Sequence, residues 1–198
     1  NLMLKRKIEQ RLIDWKNDPE HKPLIIKGCR QCGKTYSVLD FAKKNYAHVV
    51  YLNFFENPDY ASVFSGSLEP DNIVMMLSAL LGKNAIFETG KTVLILDEIQ
   101  ECNEALNALK YFCEEAPEYA VACAGSLLGI YLNHVGKSFP VGKVNHLYMY
   151  PLTFTEFLRT KDPVMHEYMH SIDKVEPLPQ IFFDKLRESF TAYSICGG

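Results

Sequence analysis

The spacing of apolar residues predicts strands that alternate with helices along most of the chain. Five short apolar segments predict strands, and they lie at residues 24–26, 49–53, 92–96, 121–124 and 144–150. The third segment is apolar almost throughout, which is typical of a strand that is buried on both faces. Strands that alternate with helices indicate a parallel α/β sheet.

Between these segments, apolar residues recur three or four positions apart, which predicts amphipathic helices. In the first helix Leu4, Ile8, Leu12 and Trp15 share one face, and the helix ends near residue 17. Further helices are predicted at residues 36–46, 70–81, 104–115 and 180–193, and after a capping box formed by Thr153 and Glu156. Two stretches are less regular: 136–142 is expected to be an exposed loop or hairpin tip, and 160–178 irregular or weakly helical.

The composition is that of a globular protein with a full core. Of the 198 residues, 47% are hydrophobic and 23% are charged, and the net charge is −3. This charge does not indicate binding to nucleic acid or to a membrane surface. No apolar run approaches the ~20 residues that span a bilayer, and the charged, amphipathic N-terminus does not resemble a signal peptide. We therefore expect a cytoplasmic protein.

Six cysteines raise the question of a zinc, redox or disulfide site. Cys29 and Cys32 form a C-x-x-C pair, but no second pair completes a zinc site. The remaining cysteines lie in or beside apolar segments and are expected to be small core residues: Cys102, Cys113, Cys123 and Cys196. A disulfide framework is not expected in a chain of this kind.

Residues 28–35 match the phosphate-binding loop pattern, which has two glycines around four variable residues and then Lys-Thr. A predicted strand precedes the loop and a predicted helix follows it, as this motif requires. Lys34 would carry charge to the β- and γ-phosphates, and the hydroxyl of Thr35 would bind Mg²⁺. The predicted nucleotide-binding residues are Gly28, Cys29, Arg30, Gln31, Cys32, Gly33, Lys34, Thr35 and Tyr36.

A pair of carboxylates follows the apolar strand at 92–96, in the form of a Walker B motif. Asp97 is expected to hold Mg²⁺, and Glu98 to polarise the attacking water. Adjacent residues of a strand point to opposite faces, so the strand must bend at its end if both side chains are to reach one site. Asp97 stands 64 residues after Gly33, and this order of the two motifs indicates an NTPase.

Several other polar residues are weaker candidates. Ser126, after the fourth strand, fits a sensor of the γ-phosphate and equally a serine that caps the next turn. Glu56 follows the second strand, at the same expected edge of the sheet. Arg159 and Arg187 are possible arginine fingers, although surface ion pairs are the more ordinary role for both.

Four classes of function contain a phosphate-binding loop, and the other residues of the chain favour them to different degrees. The carboxylate of Glu98 favours an ATPase that acts as a motor or switch, whereas the small number of arginines favours a module that senses nucleotide without turnover. A small-molecule kinase would need a lid with clustered arginines, which the sequence lacks. A GTPase is disfavoured because Gln100 stands where that class has a glycine, and because the chain has no guanine-reading motif.

The sequence resembles a family of prokaryotic AAA+-like ATPases that carry a C-terminal domain of unknown function. The resemblance covers nearly the whole chain. It rests on six segments, at residues 23–35 (PLIIKGCRQCGKT), 53–56 (NFFE), 94–100 (LILDEIQ), 125–129 (GSLLG), 138–144 (SFPVGKV) and 150–158 (YPLTFTEFL). The last three are much more specific to this family than the phosphate-binding loop, which many ATPases share.

This resemblance implies ATP or ADP and Mg²⁺ as ligands, and a three-layer P-loop NTPase fold around a mainly parallel five-stranded sheet. It also implies that the sensor strand lies between the phosphate-loop strand and the Walker B strand. We expect an ATPase core at residues 1–158 and a helical extension at 159–198. Members of the family continue beyond this point, so we expect this chain to be a fragment. Its expected partner is the absent effector domain, or a further copy of the chain in a homo-oligomer.

Overall fold

The computed structural model describes residues 7–28, 32–125, 142–151, 153–174 and 176–195. Four of the predicted site residues lie outside these ranges and stay predictions: Cys29, Arg30, Gln31 and Ser126. Leu4, Cys196 and the predicted loop at 136–142, except Gly142, also lie outside them.

The described residues form a five-stranded sheet in which every strand pairing is parallel. The strands are β1 (Leu24–Gly28), β2 (His48–Asn53), β3 (Thr92–Asp97), β4 (Ala120–Ala124) and β5 (Asn145–Met149). Their order is β2-β3-β4-β1-β5. The strand after which Ser126 follows therefore lies between the phosphate-loop strand and the Walker B strand, as the resemblance implied. Because all the strands are parallel, their carboxyl ends share one edge of the sheet.

Helices cover both faces of the sheet. They are α1 (Lys7–Asn17), α2 (Lys34–Asn45), α3 (Pro70–Leu81) and α4 (Asn103–Glu115), with a 3₁₀ helix at Pro58–Phe64. Helix α3 begins with Pro70 and is followed by Gly82 at φ 55°. Proline at the first position and glycine just beyond the end are the usual boundary residues of a helix.

Side chains of the sheet alternate between two hydrophobic clusters, one on each face. In β3, Leu94 and Leu96 pack with α3 and α4, whereas Val93 and Ile95 pack with α1 and α2. These side chains are at most 1% exposed, and burying each contributes about 1.5–3 kcal/mol. The three-layer α/β/α arrangement is thereby confirmed.

The last described part of the chain is helical, with α5 (Phe154–Lys161), α6 (Pro163–His170) and α7 (Gln180–Ile195). The predicted capping box is present: Thr153 N–H donates to Glu156 Oε2 at 3.0 Å, and Glu156 N–H donates to Thr153 Oγ1 at 3.2 Å. The ring of Phe154 contacts those of Phe190 and Tyr193 on α7, with centroids 5.2 and 5.6 Å apart. Helix α5 thus joins the helices that follow it.

Two helices of this region concern the sequence prediction: one lies in the stretch expected to be irregular, and the other crosses the predicted domain boundary. The stretch 160–178 contains the regular helix α6, because Asp162 accepts a hydrogen bond from Met165 N–H and Pro163 occupies the first turn. Helix α5 runs across residue 158, where the boundary between core and extension was predicted. The division into two parts stays a prediction.

None of the helices in the described ranges is long and apolar enough to cross a membrane.

Candidate nucleotide-binding site

Two glycines bracket the turn from β1 to α2. Gly28 is the last residue of β1, and Gly33 precedes α2 in the left-handed conformation, with φ 80° and ψ 28°. Glycine adopts this conformation without the steric cost that a Cβ atom brings. Helix α2 begins at Lys34, so the first N–H groups of the helix, which have no intrahelical acceptor, face the turn. This arrangement suits an anion.

Gly28 lies against the backbone of the neighbouring strand. It pairs with Met149 of β5, and a Cβ atom on Gly28 would collide with the Met149 carbonyl oxygen. Cys32 is only 5% exposed, and its Sγ donates a weak hydrogen bond of 3.6 Å to the same oxygen. The side chain of Cys32 therefore packs beneath the turn.

Lys34 folds back over the start of the loop. Its side chain is buried, and Nζ donates a hydrogen bond of 3.0 Å to the Gly28 carbonyl oxygen. A second contact of 3.8 Å joins Nζ to Cys32 Sγ. Buried charge is tolerated only where such polar partners compensate for lost hydration. The ammonium group is consequently held at the carboxyl end of β1.

Thr35 and Asp97 bring the two predicted motifs into contact. Thr35 lies in the first turn of α2, and Asp97 is the last residue of β3. The Thr35 hydroxyl donates a hydrogen bond of 2.7 Å to Asp97 Oδ2. The phosphate-loop helix and the Walker B strand therefore present two oxygen atoms at one place.

The carboxylate of Asp97 is 2% exposed and accepts hydrogen bonds on both oxygens. Besides Thr35, the hydroxyl of Tyr51 donates to Oδ2 at 2.9 Å, and the N–H of Glu98 donates to Oδ1 at 3.0 Å. Hydrogen bonds to an ionised carboxylate are among the stronger ones in proteins. They offset the cost of burying this charge and fix the plane of the carboxylate.

Tyr51 and Asn53 belong to this site, although the sequence analysis did not identify them. Both lie on β2, where Asn53 pairs with Asp97 of the neighbouring strand β3. They alternate with Val50 and Leu52, which are buried on the opposite face of the sheet. This alternation of polar and apolar residues at a strand end was the available signal.

Asn53 links Tyr51 to the turn that follows β2. Its Nδ2 donates to the Tyr51 hydroxyl oxygen at 3.3 Å, and its Oδ1 accepts from the backbone N–H groups of Phe55 and Glu56, each at 3.0 Å. Asn53 is 8% exposed. The turn therefore holds the amide in one orientation, and Glu56 stands at the sheet edge where it was expected.

Burial raises the pKa of the Tyr51 phenol to about 12. The hydrogen bond from Asn53 acts in the opposite direction, whereas the charge of Asp97 and the hydrogen bond to it add to the increase. An ordinary tyrosine has a pKa of about 10. Tyr51 is consequently protonated at neutral pH and acts as the donor to Asp97.

The chain bends at Glu98, as the Walker B pattern requires. Glu98 has φ 49° and ψ 42°, and it is the only residue other than glycine with a positive φ in the described part of the chain. A 3₁₀ helix, Ile99–Glu101, follows directly. Within it, Gln100 Nε2 donates a hydrogen bond of 2.5 Å to Glu98 Oε2. A left-handed residue of this type carries backbone strain, which is a common feature of functional sites.

The oxygen atoms at this edge of the sheet suit Mg²⁺ as ligands. The cation prefers oxygen ligands and commonly takes one or two from the protein, with water and substrate phosphates supplying the rest. Thr35 and Asp97 offer a hydroxyl and a carboxylate oxygen. No group of three or more His, Cys, Asp or Glu residues in the described ranges is placed to hold a metal ion.

The remaining predicted residues lie at different depths. Tyr36, directly after Thr35, is 61% exposed. Arg159 and Arg187 lie on α5 and α7 of the helical extension. Of the cysteines, Cys102 and Cys123 are buried and Cys113 is partly buried, in agreement with their predicted core role.

Comparison with known proteins agrees with this geometry. A family model described as the AAA domain matches residues 20–158, which include all five strands and the residues Lys34, Thr35, Asp97 and Glu98. No curated protein matches the chain.

Two solved structures share the fold. The Walker-type ATPase PABY2304 of Pyrococcus abyssi is 15% identical, with a TM-score of 0.56 over 96% of this chain and 63% of that one. The Orc1 protein of Aeropyrum pernix, solved in complex with DNA, is also 15% identical, with a TM-score of 0.50 over 82% of this chain and 50% of that one. This chain thus spans less than two thirds of either protein.

Proposed function

The chain belongs to the AAA domain family, and we propose that it binds ATP together with Mg²⁺ and hydrolyses it to ADP and phosphate. The observation that carries the proposal is the hydrogen bond of 2.7 Å between Thr35 and Asp97. A phosphate-binding loop alone fits many anions, but a hydroxyl and a carboxylate joined beside it fit a magnesium nucleotide.

In this proposal each residue has a separate task. The N–H groups at the start of α2 and the ammonium group of Lys34 receive the β- and γ-phosphates. Thr35 and Asp97 hold Mg²⁺, which neutralises charge on the phosphate oxygens when it is bound. Glu98 orients the attacking water and accepts a proton from it. The left-handed bend at Glu98 supports this role, because it turns the carboxylate away from the face that regular strand geometry would give it.

An alternative proposal is a nucleotide-sensing module without useful turnover. One contact favours it: Gln100 Nε2 occupies Glu98 Oε2 at 2.5 Å, so one oxygen of the carboxylate already has a donor. Hydrolysis and its dependence on Glu98 separate the two proposals.

We also propose that the ATPase domain switches an effector, either a further domain or a second copy of the chain. The family resemblance, which implies a further effector domain, supports this proposal, and the chain covers 63% and 50% of the two structural neighbours. An arginine finger from such a partner would raise turnover by ~10³–10⁵.

Calorimetric titration with ATP and Mg²⁺, together with phosphate release, tests the proposal. Lys34→Ala should weaken ATP binding by at least about tenfold, because it removes a buried ammonium group from the loop. Lys43→Ala is the matched control, since Lys43 is an exposed residue in the last turn of the same helix. Equal affinities of the wild type and Lys34→Ala would contradict the proposed site. Binding without phosphate release would favour the sensing module.

A further inference from the structure

We propose that Tyr51 is a positioning residue for the metal site: its hydroxyl orients the carboxylate of Asp97 and so increases the affinity for magnesium nucleotide. This inference rests on the proposed function, because Asp97 acts on a metal only if the chain binds one. Tyr51 lies on the edge strand β2 and belongs to neither predicted motif.

The three donors to Asp97 are not equivalent. Thr35 is itself a proposed metal ligand, and the N–H of Glu98 holds Oδ1. Tyr51 donates to Oδ2 at 2.9 Å from the neighbouring strand. It is therefore the donor that holds Oδ2 in place without being a ligand. Of these three donors, Thr35 alone would remain on Oδ2 without Tyr51, so the carboxylate would be oriented less firmly and the affinity of the site for a cation would fall.

The direction of the Tyr51 hydroxyl is set in turn by Asn53. Asn53 Nδ2 donates to the phenol oxygen at 3.3 Å, and two backbone N–H groups at 3.0 Å hold the other end of the amide. Because the phenol oxygen accepts from Asn53, its own proton is directed to Asp97. Each hydrogen bond from the turn after β2, through Asn53 and Tyr51, to Asp97 thus has a defined direction.

A neutral donor suits this task better than a cation. Among the residues that the structure describes, no lysine, arginine or histidine forms an ion pair with Asp97. A phenol orients the carboxylate but leaves its full negative charge for a bound cation, whereas a lysine would neutralise it.

The test compares ATP affinity in Mg²⁺ with ATP affinity in EDTA, by calorimetry, for the wild type, Tyr51→Phe and Tyr46→Phe. Tyr46→Phe is the matched control: Tyr46 is half-buried and, like Tyr51, packs against the hydrophobic cluster formed with α1 and α2, but its hydroxyl has no hydrogen-bond partner among the described residues. We expect Tyr51→Phe to reduce the gain in affinity that Mg²⁺ brings by about tenfold, as loss of one hydrogen bond to a charged group predicts. Its affinity in EDTA should equal that of the wild type and of Tyr46→Phe.

Each other outcome overturns the inference in a different way. If Tyr51→Phe keeps the wild-type gain from Mg²⁺, the inference fails and the proposed function stands. If Tyr51→Phe weakens ATP binding equally in EDTA and in Mg²⁺, the hydroxyl has a structural role and does not position the metal ligand. If Mg²⁺ brings no gain to the wild type, the proposed metal site fails and the inference fails with it.

Discussion

The hydroxyl of Thr35 and the carboxylate of Asp97 are 2.7 Å apart, although 62 positions separate the two residues along the chain. One stands at the start of α2 and the other at the end of β3, the next strand but one from β1 in the sheet. The contact exists because α2 starts, and parallel β3 ends, at the same edge of the sheet. The site is therefore formed where the start of α2 meets the end of β3.

Thr35 supplies the first prediction. Thr35→Val removes the hydroxyl but keeps the branched shape of the side chain, and should lower the affinity for ATP in Mg²⁺ by about tenfold or more, because both a metal ligand and a donor to Asp97 are lost. Thr35→Ser keeps the hydroxyl and should stay within about twofold to threefold of the wild type. Both constants are measured by calorimetry. Equal affinities of the valine and serine variants would show that the hydroxyl does not take part.

Gly28 supplies a prediction about stability. Gly28→Ala places a Cβ atom against the carbonyl oxygen of Met149, and this backbone atom belongs to the sheet and cannot yield without disturbing β5. We expect the free energy of unfolding in urea to fall by about 3 kcal/mol. Gly66→Ala is the control, because a Cβ atom there meets nothing within 4 Å, and it should change the free energy by less than about 0.5 kcal/mol. Similar losses in both variants would refute the packing argument.

The raised pKa of Tyr51 predicts that the free energy of unfolding depends on pH. Its pKa is raised to about 12 in the folded protein from about 10 in an unfolded chain, so the native state binds this proton more tightly. The stability that it contributes is therefore fully present below about pH 10 and is lost as the pH rises through about 12. Urea denaturation should find the wild type more stable than Tyr51→Phe by about 1 kcal/mol at pH 8. This difference should shrink at pH 11.5, and a constant or growing difference would contradict the assignment.

Much of the fold could be predicted because its elements carry strong local patterns. The apolar run 92–96 and the spacing of Val38, Phe41 and Ala42 determine a buried strand and an amphipathic helix without reference to the rest of the chain. The capping box of Thr153 and Glu156 is also local. Helix α6 was predicted only as irregular or weakly helical, because the signal that starts it, Asp162 before Pro163, is short and the residues that follow have no clear apolar period.

Tyr51 and Asn53 could not be predicted as site residues, for a different reason. Their position depends on strand order: β2 lies beside β3, and the register places Asn53 opposite Asp97. Neither fact is encoded in the residues around them. The alternation of Tyr51 and Asn53 with buried Val50 and Leu52 shows only that the two share a face. Pairing between distant segments decides what that face meets.

The proposed role of Glu98 is tested most directly by single-turnover hydrolysis of ATP in Mg²⁺, comparing the wild type with Glu98→Gln. The substitution preserves size and the backbone bend but removes the carboxylate that would orient water and accept its proton. We predict wild-type affinity for ATP and a rate lower by about 10²-fold or more. Hydrolysis by Glu98→Gln at the wild-type rate would contradict the account.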